Sequence, residues 1–426
     1  MSRPARIRYH ARWVAPITGP PIEHGWVEVE EGVIRAVGAG RATPRDAGAR
    51  DLGHVCILPG LVNAHTHLEL STQRGAVARA RSMPAWAAAL MRRLESEPRE
   101  ARCGAIPAAI DELYRAGTAL VGDVSNSLDS VVPLEAGPVE AVVFREVLGF
   151  DVAADEAAAV VEQLAGSASE RADARVRVRA AAHAPYSVSP ALFRALAAAV
   201  PGPRAVHLAE SREECEFLRS GGGAWREILE ARGRWDPAWA PPRSGPVAYL
   251  DSLGWLQKDT LVVHGVRLTA AEIGRVAESG ATIVTCPRSN AWTGAGVPPV
   301  ASFYRAGAGV AVGTDSLASA PDLNTFAELA QVRRLAPEVP ARRILRSATL
   351  DGAVALGRGR THGAVAPSRR AALIAVRTPE TVRDVEEYLL TGIVPEQVAW
   401  LDRMHDGGAA DDSGPRGPSR IAFRTG

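Results

Sequence analysis

The residues best able to do chemistry are His65 and His67 in "PGLVNAHTHLEL", His207 in "RAVHLAES" and Asp315 in "GVAVGTDS". Each falls at the end of a short, β-branched apolar run, as do His183 ("RVRAAAHAP") and His264 ("TLVVHGV"). Three neutral imidazole nitrogens and one carboxylate form a donor set suited to Zn²⁺ or Fe²⁺. A single histidine after a strand is more often a hydrogen-bonded structural residue, and His183 alone would carry no more than that. His65 and His67 differ, because the two-residue period of a strand turns both rings to one side. Glu210 follows His207 by three residues, where a loop or first helical turn would hold it beside that ligand. A carboxylate there is either a solvated helix-start residue or a proton carrier.

These residues need elements that bring distant parts of the chain together. From residue 55 onward, apolar β-branched runs alternate with Ala/Arg/Leu-rich stretches of helical period, such as "PAWAAALMRRLESE" and "TAAEIGRVAESG". Strands this apolar are buried on both faces, as in a parallel sheet covered by helices. Eight such units in about 300 residues predict an α/β (β/α)₈ barrel. A Rossmann-like sheet is the competing architecture, and no GxGxxG follows a strand to support it. In a barrel every strand's C-terminal end lies on one face, so the histidines and Asp315 converge.

The ends read differently. "GWVEVEEGVIRAVGAG" alternates like an antiparallel hairpin, and residues 363–377, "GAVAPSRRAALIAVR", have strand-turn-strand character. The predicted organisation is a small β domain from 1–55 and 357–404, the latter with a terminal helix, and a barrel over 56–356. A Gly/Asp/Ser-rich tail at 405–426 is predicted to be disordered.

Bulk properties narrow the class. The 426 residues carry a net charge of +1, which favours neither nucleic acid nor an anionic membrane as partner. No apolar run approaches the roughly 20 residues of a membrane span. Four dispersed cysteines without a CxxC pair point away from disulfides and thiolate metal sites, and the expected location is cytoplasmic.

Taken together, "PGLVNAHTHLEL", "HAPYSVSP", "HLAES", "VVHGVRLT", "CPRSN" and "GTDSLAS" resemble the amidohydrolase superfamily, in its cytosine deaminase-like, chlorohydrolase and aminohydrolase branch. The flanking "GVIRAVGAG" and "ATLDGAVALG" also match, and the resemblance spans nearly the whole chain. It implies a (β/α)₈ barrel with a small β-sandwich domain built from both termini. It implies His65, His67, His207 and Asp315 as ligands of one divalent metal, Zn²⁺ before Fe²⁺. Glu210 is implied as proton shuttle and His264 as the residue orienting the water. Asp315 is implied both to ligate the metal and to accept a proton from the water. His183, Ser289 and Asn290 are implied as substrate contacts, with Glu69 as a further one or as a loop cap. Relatives with two metals bridge them through a carboxylated lysine after the fourth strand. Here that end reads "AAAHAP" and the only lysine is Lys258, so one metal is expected.

The implied reaction is hydrolytic deamination of a purine-type heterocycle. The stretch "EFLRSGGGAWREIL" is similar to aminodeoxyfutalosine deaminases of the menaquinone route. S-adenosylhomocysteine or methylthioadenosine, guanine and triazines are the alternative substrates. Hydrolysis of a cyclic amide, or an inactive scaffold, are readings from other classes. The tryptophan-rich segment 211–256 is expected to wall the barrel mouth or to pack at a subunit contact of a homo-oligomer.

Overall fold

The computed structural model describes residues 6–42, 48–165 and 174–401. Its strands are β1 (Arg6–Val14), β2 (Ile22–Glu30), β3 (Val33–Ala39), β4 (Arg50–Asp51), β5 (Val55–Pro59), β6 (Leu61–Thr66), β7 (Thr118–Ser125) and β8 (Glu140–Val147). They continue with β9 (Val176–Ala182), β10 (Arg204–Leu208), β11 (Thr260–His264), β12 (Thr282–Thr285), β13 (Gly309–Val312), β14 (Leu373–Arg377) and β15 (Val398–Trp400). Strands β6 to β13 form one parallel sheet in sequence order. A parallel bridge between Thr66 and Asp315 brings its two edges together, which makes the barrel.

Every residue of β6, β10 and β11 is buried, as expected for strands covered on both faces. Alternate residues point inward and form one cluster, including Val142, Phe144, Ala181, Ala205, Val263 and Ala311. Ala353 and Leu356 of the helix Leu350–Ala355 and its end join that cluster. Residues of the other parity pack against the helical layer. Helix starts follow local chemistry. Thr269 and Glu272 make a reciprocal capping box for Ala270–Ser279, and Ser211 caps Arg212–Ser220.

The run "VCILPGLVNAHTH" is not one strand, as its composition suggested. Its first part, β5, leaves the barrel and lies between β14 and β1 in the small sheet. The chain changes sheets at Gly60, where an added Cβ would come within 2.6 Å of Ala119 Cβ and 2.9 Å of Trp400. The barrel therefore begins at Leu61 rather than at 56. Residues 363–377 likewise contribute one strand, β14, and not two. The predicted hairpin is present as β2 and β3, turning at Glu31 and Gly32, both with positive φ. The tail expected to be disordered lies outside the described residues.

The two barrel edges meet very closely. A Cβ on Gly313 would lie 2.8 Å from His65 Cβ and O and 3.0 Å from its N. Gly313→Ala should therefore push β13 from β6 and displace His65. We expect a loss of about 1–3 kcal/mol in denaturant unfolding, together with lower metal content.

Candidate active site

Five polar side chains from four strand ends meet at one face of the barrel. His65 and His67 lie at the end of β6, His207 on β10 and His264 at the end of β11, with ring centroids 4.8–5.7 Å from His65. Asp315 Oδ1 is 3.6 Å from His65 Nε2 and 3.5 Å from His67 Nε2. The ligand atoms of His65, His67 and Asp315 all lie within 4.8 Å of one another, as do those of His65, His207 and His264. The backbone does the final aiming: His264 and Asp315 both adopt positive φ, 75° and 57°, which turns their side chains inward past the strand ends.

The ionisation states suit a cation. Burial, reinforced by neighbouring histidines, holds His67 and His264 neutral and pushes His207 down to about 4. His207 Nδ1 donates to the His183 carbonyl at 2.9 Å, which leaves its Nε2 lone pair free. Burial would raise Asp315, but the His65 ring beside it, with His67 and His264, holds the carboxyl well below the usual range. His65 Nε2 is buried and has no hydrogen-bond partner. An unpartnered nitrogen facing a buried carboxylate among neutral imidazoles fits a divalent ion held by His65, His67, His207 and Asp315.

Glu210 lies opposite, its Oε1 3.6 Å from His264 Nε2. Burial first, then Asp315 and Glu214, raise its pKa well above the carboxylate range, which favours its protonated form. The Asn290 side-chain amide donates to His264 Nδ1 at 2.9 Å, and the Ser289 hydroxyl donates to Asp315 Oδ2. Ser319 donates to the same Oδ2 at 2.8 Å. Both Ser289 and Asn290 are fully buried, and these bonds hold Asp315 and His264 in place. Glu69 is also committed elsewhere. Its carboxylate accepts from the Ser125 and Ser127 hydroxyls and from the Asn126 and Ser127 backbone N–H groups, which makes it a loop clamp. His183 Nδ1 is hydrogen-bonded to Ser187 Oγ at 2.5 Å.

Other residues matter here that the motifs did not expose. Glu214 accepts the N–H groups of Ala209 and Glu210, at 2.8 and 2.9 Å, and so fixes the turn that presents Glu210. The spacing "SREE" could have signalled it, as a capping serine with an acid three residues on. Glu146, at the end of β8, has one oxygen on Asn126 Nδ2 at 3.0 Å and the other, unpartnered, 3.6 Å from His207 Nδ1. Nothing in its local sequence marks it, because only the barrel brings it beside His207. Segment 211–256 folds back on its own chain: Trp225 stacks on Tyr186 at 3.8 Å, Trp239 on Phe217 at 4.8 Å, and Arg232 reaches Glu95 at 2.7 Å. Trp225, Trp239 and Trp255 are buried within the chain, and Trp235 is partly buried.

Residues 56–396 match the amidohydrolase family model. The chain belongs to the amidohydrolase family. As an amidohydrolase it is a hydrolase acting on C–N bonds in cyclic amidines, a hydrolytic deaminase. It is 29% identical over 398 residues to a 5-methylthioadenosine/S-adenosylhomocysteine deaminase of Syntrophomonas wolfei, covering 89% of this chain and 87% of that one. It is 33% identical over 333 residues to an aminodeoxyfutalosine deaminase of Deinococcus radiodurans, covering 74% and 76%. An adenosine deaminase of Xanthomonas campestris with bound zinc superposes with a TM-score of 0.76 at 28% identity, over 93% of this chain and 91% of that one. No helix among the described residues is long and apolar enough to cross a membrane.

Glu214→Ala should free two buried N–H groups and loosen the Glu210 turn. We expect a stability loss of about 1–3 kcal/mol and reduced turnover with unchanged metal content, read by denaturant unfolding, steady-state rates and metal analysis.

Proposed function

We propose that this amidohydrolase removes the 6-amino group of a 5′-substituted adenine nucleoside, releasing ammonia. The carrying observation is that Glu210, whose protonated form burial favours, and the ionised Asp315 border one buried histidine cluster, Glu210 at 3.6 Å from His264 and Asp315 at 3.6 and 3.5 Å from His65 and His67. Such a pairing can supply a proton donor and a proton acceptor to one reacting carbon.

His65, His67, His207 and Asp315 would hold the metal, with zinc the first choice. When bound, such an ion lowers the pKa of a coordinated water to about 7 and polarises it for attack. The remaining work falls to the chain's own groups. Glu210 donates its proton to a ring nitrogen, which makes the carbon bearing the amine electrophilic. Asp315, aimed by Ser289 and Ser319, takes a proton from the attacking water. His264, fixed by Asn290, orients that water toward the carbon. The proton taken up by Asp315 then passes to the leaving amine, and Glu210 recovers its own from the hydroxyl that becomes the product carbonyl, so both carboxyl groups return to their starting states.

Substrate contacts would come from the wall beside His183. The Tyr186 hydroxyl and Trp225 indole N–H are buried and without hydrogen-bond partners, and the tyrosine lies in the field of Glu210, Glu214 and Glu146. They suit the hydroxyls of a nucleoside sugar. The names of both curated relatives fit this class, and the stretch carrying Trp225 favours aminodeoxyfutalosine over methylthioadenosine and S-adenosylhomocysteine.

An ammonia-release screen of the metal-loaded protein over these three nucleosides, adenosine, guanine and a triazine tests the proposal. Release from guanine or triazine alone would overturn it. Glu210→Gln should keep its metal and lose turnover by about 10²–10⁴-fold. A variant with near-normal rate would remove Glu210 from the mechanism. Asp315→Ala and His65→Ala should instead lose metal. Because the donor must be protonated, kcat/KM should fall as pH rises through the elevated pKa of Glu210, measurable as the basic limb of a pH–rate profile.

A further inference from the structure

Two separate segments carry the donors that fix the proposed proton acceptor. The helix Pro287–Thr293 follows β12 and bears Ser289 and Asn290, while the turn after β13 bears Asp315 and Ser319. Ser289 and Ser319 both donate to Asp315 Oδ2, and Oδ1 is the oxygen 3.6 and 3.5 Å from His65 and His67. Asn290, next along the helix, holds His264. Two hydroxyls from different segments converge on one oxygen only while those segments keep their spacing. O–H···O bonds are lost beyond about 3 Å, so a small slide of the helix would release Oδ2 and let the carboxylate turn.

Arg288 directly precedes Ser289, and Asp322 stands three residues past Ser319. The Arg288 side chain is only 14% exposed. Its Nη1 and Nη2 both donate to Asp322 Oδ1 at 2.9 Å, and they reach the Asn324 and Asp322 carbonyls, each at 3.4 Å. The same Oδ1 accepts the Asn324 N–H at 2.9 Å, where Asn324 caps the helix Thr325–Leu335. Within that helix Glu328, fully buried, accepts the Arg288 backbone N–H at 3.3 Å and lies 3.3 Å from Arg288 Nε. Burial pushes the Glu328 carboxyl up to about 8, with Arg288 the chief opposing influence. The bonds to Asp322 and Asn324 do not involve that proton.

Arg74 and Glu112 hold the turn independently, through the Pro321 carbonyl at 2.6 Å and the Leu323 N–H at 2.9 Å. What Arg288 adds is the register of the Ser289 helix against it. A planar guanidinium fork suits that task, because its donors keep a fixed geometry.

We propose that Arg288 is a positioning residue for the deamination. It clamps the helix bearing Ser289 and Asn290 to the turn bearing Ser319, and so sets the rotation of the Asp315 carboxylate and the aim of His264. The assignment rests on the roles proposed above for Asp315 and His264.

The test compares Arg288→Ala with the unaltered full-length protein by thermal melting, by turnover of the amine that the ammonia screen identifies, and by visible absorption of the cobalt(II)-loaded form. The cobalt spectrum needs no substrate, so a wrong substrate and a wrong clamp fail separately. We expect cobalt still bound, its bands shifted or changed in intensity, and kcat at least about tenfold lower with KM within about twofold. A merely structural residue would lower the melting temperature and leave the bands and kcat of the folded protein as they were. Asp322→Ala should reproduce both changes, and the double variant should be no more than about twofold slower than the slower single one. Unaltered bands or an unaltered kcat in folded Arg288→Ala, or additive losses in the double variant, overturns the proposal. If Arg288→Ala does not fold, Asp322→Ala decides it on the same bands and kcat.

Discussion

The structure depends on the seam where β13 meets β6. Asp315 N–H donates to the His65 carbonyl at 3.0 Å, and Thr66 Oγ1 donates to the Asp315 carbonyl at 2.7 Å. Asn63, fully buried, donates to Thr314 Oγ1 at 2.7 Å and accepts from the Thr314 N–H at 3.1 Å. These bonds turn an open sheet into a barrel, and they join the two chain segments that carry His65, His67 and Asp315. Closure of the fold and assembly of the candidate metal site are thus one event. Few contacts could do both, and a glycine at 313 is what lets the strands come close enough.

Burial does opposite things to the two kinds of residue in the site, and the chemistry needs both. Desolvation disfavours charge, so it removes the proton from His67, His207 and His264 and retains it on Glu210. The candidate ligands are kept neutral by the same burial that favours the protonated form of the candidate proton donor. Asp315 escapes the rule because the imidazoles around it favour its ionised form over burial's opposite pull. Around this core stands a ring of positioning groups, Ser289, Ser319, Asn290 and Glu214. Each fixes one working side chain by one or two short bonds. The excursion at 211–256 then adds an aromatic wall, with Trp225 on Tyr186 beside His183.

Much of this was legible in the sequence, for physical reasons. Strands buried on both faces must be uniformly apolar, so β6 through β13 announce a covered parallel sheet, and parallel strands of one barrel must present their C-terminal ends together. That alone groups His65, His67, His183, His207, His264 and Asp315. A strand's two-residue period separates paired ligands from stray histidines, and the family resemblance of the same motifs supplied Glu210. The misreadings came where local pattern is blind to partner. β5 and β6 are equally apolar, and only the neighbours across the hydrogen bonds tell that they lie in different sheets. Ser289 and Asn290 sit in a motif beside the site, and the motif does not announce the bonds they make to Asp315 and His264.

The sequence by itself determined which residues are chemically competent and at which end of the barrel they gather, because hydrophobic period and strand polarity are properties of the chain. Only the tertiary structure decided what each one is for. Roles follow from partners: Glu69 is a clamp because four donors from the loop after β7 converge on it. Glu146 is drawn to His207, and Glu140 to His362 and Arg370, by register between strands and by a segment that returns from some 200 residues away in the chain. Such long-range juxtapositions have no local signature. They exist only once the seam has closed.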